Sequence, residues 1–160
     1  MKSEEFAELV LASTDSLYRV AKGILRQDSE CEDAVWEAVT TAFEKLDTLR
    51  EDRYAKTWLI RILIHECYRI LRSQKLVASL DETMQVTQNP LEDYSDLYEA
   101  ICQLDDKYRL SVILFYMEGF SVAEIAEIMN TSPGNVKNRL HRARAKLRKQ
   151  LEQEEVLLWN

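Results

Sequence analysis

A chain of 160 residues with 46% hydrophobic content has the apolar material for one medium domain or two small ones. Its formal net charge of -7 excludes a protein that coats nucleic acid indiscriminately, so any such contact must be confined to local basic surfaces. Only 3 Gly and 2 Pro exclude a turn-rich β protein and make an all-α fold the expectation. Cys31, Cys67 and Cys102 are odd in number and contain no CxxC pair, so they read as reduced thiols in place of a disulfide framework or zinc site. The acidic start MKSEEFAELV lacks the sections of a signal peptide, and no apolar run approaches the roughly 20 residues that cross a membrane. A cytoplasmic protein without membrane insertion is expected.

The first helical block runs from about Ser3 to Arg26, with Phe6, Leu9, Val10, Leu17, Val20, Ala21, Ile24 and Leu25 on apolar faces. Ser13 to Ser16 carry side chains that compete for backbone hydrogen bonds, which leaves one helix or two open. Asp28 and Ser29 then signal a new start, and Glu30, Glu32 and Asp33 suit a helix N-terminus. Val35, Ala38, Val39, Ala42, Phe43 and Leu46 recur at the spacing of one buried helical face. The opposite face carries Asp33, Trp36, Glu37, Thr40, Thr41 and Glu44, where Trp36 reads equally as the rim of a core or as a partner contact.

Asp47 to Arg53 is a charged connection. The helix expected over Tyr54 to Ser73 sets Leu59, Ile60, Leu63, Cys67, Ile70 and Leu71 against Trp58, Arg61, His65, Arg69 and Arg72. An exposed aromatic among cations suits nucleic acid, because Arg neutralises phosphate while an aromatic plane stacks on a base. The competing reading is an amphipathic helix with a snorkelling Arg rim. From Leu76 to Leu104 there is no Lys or Arg but there are six acids, and Pro90 sits in a polar, aperiodic centre. This marks residues 76–96 as an acidic linker between a domain over 1–75 and another over 97–160.

A helical pattern resumes over about Leu91 to Gln103 with Leu97, Ala100, Ile101 and Leu104. Asp105 and Asp106 open a further helix with Leu110, Val112, Ile113, Leu114 and Tyr116, and Gly119 stops it. Val122, Ile125, Ala126 and Met129 then form the buried face of a short helix that Asn130 closes. Thr131 and Ser132 are capping residues and Pro133 sits where a missing N–H costs least, so a second helix starts at about Pro133. Val136, Leu140, Ala143 and Leu147 face the first helix, while Gly134, Asn138, His141, Arg142 and Ala145 face away. Seven basic residues and no acid lie between Pro133 and Lys149. Short helix, tight turn and long basic helix make a helix-turn-helix.

His65 and Glu66 begin like a zinc-protease HExxH, but Arg69 stands at the second His position. Asn130, Thr131 and Ser132 match a glycosylation sequon without any secretory direction. No nucleophile with a base, paired carboxylates or phosphate-cradling Gly loop is present, so neither enzyme activity, nor a metal, nor a cofactor is expected.

With the basic helices and the acidic linker on the page, the chain resembles the extracytoplasmic-function group of the sigma-70 family of bacterial RNA polymerase sigma factors. The resemblance covers about Leu17 to Ser73 and Leu104 to Leu151. It is carried by GFSVAEIAEIMNTSPGNVKNRLHRARAKLRK, ECEDAVWEAVTTAFEKL and KTWLIRI, three segments whose combination in this order is far more specific than a helix-turn-helix alone. It implies two small helical domains joined by a linker, binding core RNA polymerase and recognising promoter DNA in two parts. Lys137, Asn138, His141 and Arg142 would read the minus-thirty-five element, and Arg139, Arg144 and Lys146 would hold phosphates. Leu49, Arg50, Arg53, Trp58, Arg61 and His65 would hold the opened minus-ten element, while Asp33, Trp36, Glu37 and Thr40 would face the polymerase. Two positions depart from the family pattern: His65 stands where Asn is common, and Trp36 where Gln is frequent. The resemblance also implies an anti-sigma factor as partner. A stand-alone helix-turn-helix transcriptional regulator is the alternative, and the apolar end of EEVLLWN would be a packed tail or an extra contact.

Overall fold

The computed structural model describes residues 1–78 and 96–159. The chain divides into two compact units, Met1–Asn89 and Pro90–Asn160. Among the described residues both are helical and neither contains a strand, which gives the expected all-α class. Residues 76–78, expected to open the linker, instead prolong a helix, because Lys75, Leu76 and Ala78 all favour that conformation. The remainder of the linker through 95, with Pro90 and Leu91, lies outside the described residues.

In the first unit α1 (Ser3–Ala12) and α2 (Thr14–Ile24) meet at Ser13, so the open question resolves as two helices. Ser13 leaves helical geometry at φ -101° and ψ 2°, and its N–H donates to the carbonyls of Leu9 and Val10. Thr14 Oγ1 donates to Leu11 O at 3.1 Å and Val10 O at 3.2 Å, the side-chain competition that breaks the helix here. Phe6, fully buried, fixes α1 to the unit through edge contacts with the rings of Phe43 at 4.9 Å and Trp58 at 6.0 Å between centroids.

The core of this unit lies among α2, α3 (Asp28–Glu44) and α4 (Ala55–Ala78). Ala34, Ala38 and Ala42 are fully buried, and these small side chains let α3 approach Leu59, Ile60, Leu63 and Cys67 of α4 closely. Phe43, expected in the core, is instead 38% exposed at the end of α3, where its ring meets the edge of Phe6. Two 3-10 turns, Leu46–Thr48 and Asp52–Tyr54, join α3 to α4.

The second unit contains α5 (Asp96–Cys102), α6 (Asp106–Val112), α7 (Val122–Ile128) and α8 (Pro133–Trp159). Arg109, only 7% exposed, donates to the carbonyls of Leu104 at 2.9 Å and Cys102 at 3.2 Å and pairs with Asp106. A buried guanidinium thereby satisfies acceptors that the end of α5 would leave orphaned. Beyond α6 the chain widens into a π-helical turn, Ile113–Met117, and reverses at Gly119, whose φ of +73° favours glycine.

Both ends of α7 follow from local chemistry. Ser121 Oγ accepts from the Glu124 N–H while the Glu124 carboxylate accepts from the Ser121 N–H, each at 3.1 Å. Asn130 stands in the left-handed region at φ +52°, which turns the chain toward α8. Ser132 Oγ then accepts from the Asn135 N–H at 3.1 Å and caps α8. Val136, Leu140, Ala143 and Leu147 are buried on α8, as their spacing requires. On α7 Ile128 is buried beside Ile125 and Ala126, whereas Met129, expected on that face, is half-buried. The helix outlasts Lys149 and reaches Trp159, but the side chains of the apolar tail lie outside the described residues.

Candidate nucleic-acid interface

Burial of one line of α8 dictates what its other faces present. Lys137, Asn138, His141, Arg142, Arg144 and Lys146 are exposed. Arg139 is half-buried and reaches back to Met129 Sδ at 4.0 Å, so its chain is more tethered than its neighbours'. Arg144 donates to the Tyr116 phenol oxygen at 2.8 Å.

A cleft of 280 Å³ opens between the start of α6 and the first turns of α8, lined by Lys107, Tyr108, Asn135, Asn138, Arg139 and Arg142. The Tyr108 ring is only 7% exposed, with Lys146 Nζ 4.4 Å and Lys107 Nζ 5.2 Å from its centroid. Its phenol pKa lies below the usual 10.0, first through the Arg142 guanidinium beside it and then through the charges of Lys107 and Lys146, against the opposing effect of burial. Lys107, Tyr108 and Tyr116 escaped the sequence reading. The one available signal was an aromatic between two cations, Lys107-Tyr108-Arg109, at the start of a helix.

In the first unit Arg61 and His65 lie exposed one turn apart on α4. Trp58 shares their face in sequence but is half-buried against Phe6, which corrects the expectation of a fully exposed aromatic among cations. Leu49 is half-buried, and Arg50 and Arg53 are exposed. Arg53 pairs with Glu51 at 2.7 Å and stacks 4.8 Å from the ring centre of Tyr54. Tyr54, 48% exposed, is an aromatic neighbour the sequence reading missed. Glu66 accepts from Arg69 Nε at 2.8 Å, so the fragment resembling a metalloprotease motif is an ion pair along the helix.

Asp33, Trp36, Glu37 and Thr40 form one exposed strip on α3. Trp36 is 73% exposed, so it is no core rim. Thr40 Oγ1 donates to the Trp36 carbonyl at 2.9 Å and stays on the helix surface. Among the described residues no helix is long and apolar enough to cross a membrane.

Two compact helical units in series, the second containing a helix-turn-helix with a basic outer face, define a class of two-domain all-α protein. Comparison with known proteins gives the class its family. The sigma-70 region 2 family model matches residues 9–77 and the sigma-70 region 4 model residues 94–147. The chain is 32% identical to RNA polymerase sigma factor SigV of Bacillus subtilis, across 94% of this chain and 95% of that relative. It is 31% identical to ECF RNA polymerase sigma factor SigW of the same organism, across 92% and 89%. The sigma factor RpoE of Bartonella quintana, solved with the anti-sigma factor NepR, superposes with a TM-score of 0.81 at 25% identity, covering 93% of this chain and 98% of that one. The chain belongs to the extracytoplasmic-function group of the sigma-70 family of RNA polymerase sigma factors, non-enzymatic factors of transcription initiation.

Proposed function

We propose that the chain binds core RNA polymerase and directs it to a two-part promoter in the cytoplasm. The observation that carries this reading is the strip Lys137, Asn138, His141 and Arg142, exposed on one side of a helix whose other side is buried, in a chain of net charge -7. Cations segregated in this way give a local field attractive to phosphate on a chain whose overall charge is negative. Arg142 and Lys137 offer donors to guanine edges and Asn138 offers a bidentate partner to adenine in the upstream element. Arg139, Arg144 and Lys146 hold phosphates and set the orientation.

On the first unit, Arg50, Arg53, Arg61 and His65 hold the non-template strand once the minus-ten element opens, with Leu49 and Trp58 bordering the extruded base. Extrusion costs a few kcal/mol, which stacking and a fitted pocket offset. Because Trp58 is half-buried, it serves as a wall, not a free stacking plane. The α3 strip of Asp33, Trp36, Glu37 and Thr40 docks on the polymerase, and an anti-sigma factor restrains the protein by covering these surfaces.

Co-migration with core polymerase tests this reading. A stoichiometric complex that acquires sequence-dependent DNA binding supports it. Tight sequence-specific binding of duplex DNA by the chain alone, without any complex with polymerase, would replace it with the stand-alone regulator. The domain limits of 1–75 and 97–160 are tested by expressing each piece: each is proposed to fold alone.

A further inference from the structure

Lys107 stands on α6, outside the helix-turn-helix, yet two separate observations bring it to the reading side of α8. It lines the 280 Å³ cleft together with Asn138, Arg139 and Arg142. Its ammonium also lies 5.2 Å from the centre of the Tyr108 ring, and Lys146 from α8 reaches the same ring at 4.4 Å. Asn138, Arg142 and Lys146 are spaced by four, so they stand in one row along α8, and Lys107 flanks that row from the neighbouring helix.

The charges around this pair are unusual for an acidic chain. Among the described residues neither lysine is in an ion pair, although the chain has 28 acids against 21 Lys and Arg. The adjacent carboxylate of Asp106 pairs with Arg109 instead. Both lysines are exposed, whereas Tyr108 between them is buried. Two ammoniums on one ring stand within about one Debye length, roughly 10 Å at 0.1 M salt, and repel each other. The negative ring face offsets part of that repulsion, and an anion held between them offsets the rest.

We propose that Lys107 is a DNA-contact residue outside the helix-turn-helix, clasping the phosphate backbone beside the upstream element jointly with Lys146 across the Tyr108 ring. The anion is the phosphodiester strand: an ammonium is a compact point charge without a planar fork, suited to phosphate and to fixing orientation. A helix about 10–12 Å across fills a major groove about 12 Å wide, so cations beside its reading row meet the phosphates that border the groove. This assignment rests on the reading of α8 as the base-reading helix.

The test uses the full chain bound to core polymerase, titrated across a salt series with templates in which each base pair of the upstream element is substituted, the promoter being recovered by sequencing initiated transcripts. Lys107→Gln should weaken all templates by the same factor and reduce the salt slope by about 1. Lys107→Arg keeps the charge and should hold the parent slope. Lys146→Ala should act like Lys107→Gln, and the two combined should reduce the slope by about 2. Tyr108→Phe keeps the ring face and should leave the slope unchanged. Tyr108→Leu fills the site without that face, and in its background Lys107→Gln should weaken binding by a smaller factor than in the parent.

Lys107 is exposed, so its replacement leaves the core of the unit in place, and an unchanged slope in Lys107→Gln overturns the assignment. So does a loss confined to one base pair, or a loss of polymerase affinity with DNA binding intact. An effect of Lys107→Gln undiminished in the Tyr108→Leu background overturns the part given to the ring. If Lys146→Ala leaves the slope unchanged and Arg142→Ala costs no base preference, the reading of α8 fails and the assignment fails with it. If both behave as phosphate and base contacts and Lys107→Gln is silent, the reading of α8 stands and only the role of Lys107 is refuted.

Discussion

The Arg144 guanidinium donates to the phenol oxygen of Tyr116 at 2.8 Å, joining α8 to the π-helical turn that precedes Gly119. This bond holds the cation without neutralising it. Arg144→Ala should weaken binding to all promoter sequences about equally and reduce the salt slope by about 1. Tyr116→Phe retains the cation, so its slope should match the parent protein. Titrations of DNA binding by the polymerase complex across a salt series check both outcomes.

Trp36 and Trp58 should behave oppositely when truncated. Trp36 is 73% exposed, so Trp36→Ala should change stability by less than about 0.5 kcal/mol. Its affinity for core polymerase should nonetheless fall by about tenfold or more, because a desolvated Trp is a typical interface anchor. Trp58 packs edge-on against Phe6 at 6.0 Å, and Trp58→Ala should lower stability by about 2 kcal/mol. Denaturant unfolding and a polymerase-binding titration on both variants separate the two effects.

The turn between α7 and α8 has a defined sensitivity. At φ +52°, Asn130→Ala should destabilise by about 1 kcal/mol, while Asn130→Gly should be nearly neutral. Ser121→Ala removes the oxygen that accepts from the Glu124 N–H and should also lose about 1 kcal/mol. Thermal unfolding of each variant provides the comparison.

None of the three cysteines is in a disulfide, and two are deeply buried. Burial is the main cause that pushes the Cys31 thiol up to about 11 and Cys67 up to about 12 from an ordinary 9.0. The folded state then keeps protons that the unfolded chain releases. The resulting stabilisation is full below pH 9.0 and declines as pH rises through the folded values of about 11 and about 12. Urea unfolding should therefore show stability falling as pH rises from 9.0 towards about 11, with a smaller fall in a Cys31→Ala, Cys67→Ala variant. At about pH 8 a thiol reagent should modify Cys102, the half-buried one, well before the other two.

Periodicity made the helical class and the buried line Val136, Leu140, Ala143 and Leu147 legible, because a regular helix converts spacing directly into facing. The cap at Ser132 was legible in the same local way. What spacing does not contain is the neighbour. Phe43 fits the periodic face of α3 but is 38% exposed at that helix's end, and Trp58 fits an exposed face but meets Phe6 from α1. Arg109 reads as a solvent cation until the carbonyls of Cys102 and Leu104 are brought around it. The same holds at the candidate site: the α8 cations were visible in sequence, whereas Tyr108 and Tyr116 acquire meaning only when α6 and the π-helical turn fold against that helix. Trp36 remained undecided in sequence because both faces of an isolated helix are accessible to it.

Run-off transcription with core RNA polymerase and this chain on a genomic template library tests the central claim most directly. The account predicts transcripts that start downstream of a shared two-part promoter and disappear when the chain is omitted. Initiation that is absent from every template, or identical with and without the chain, would contradict it.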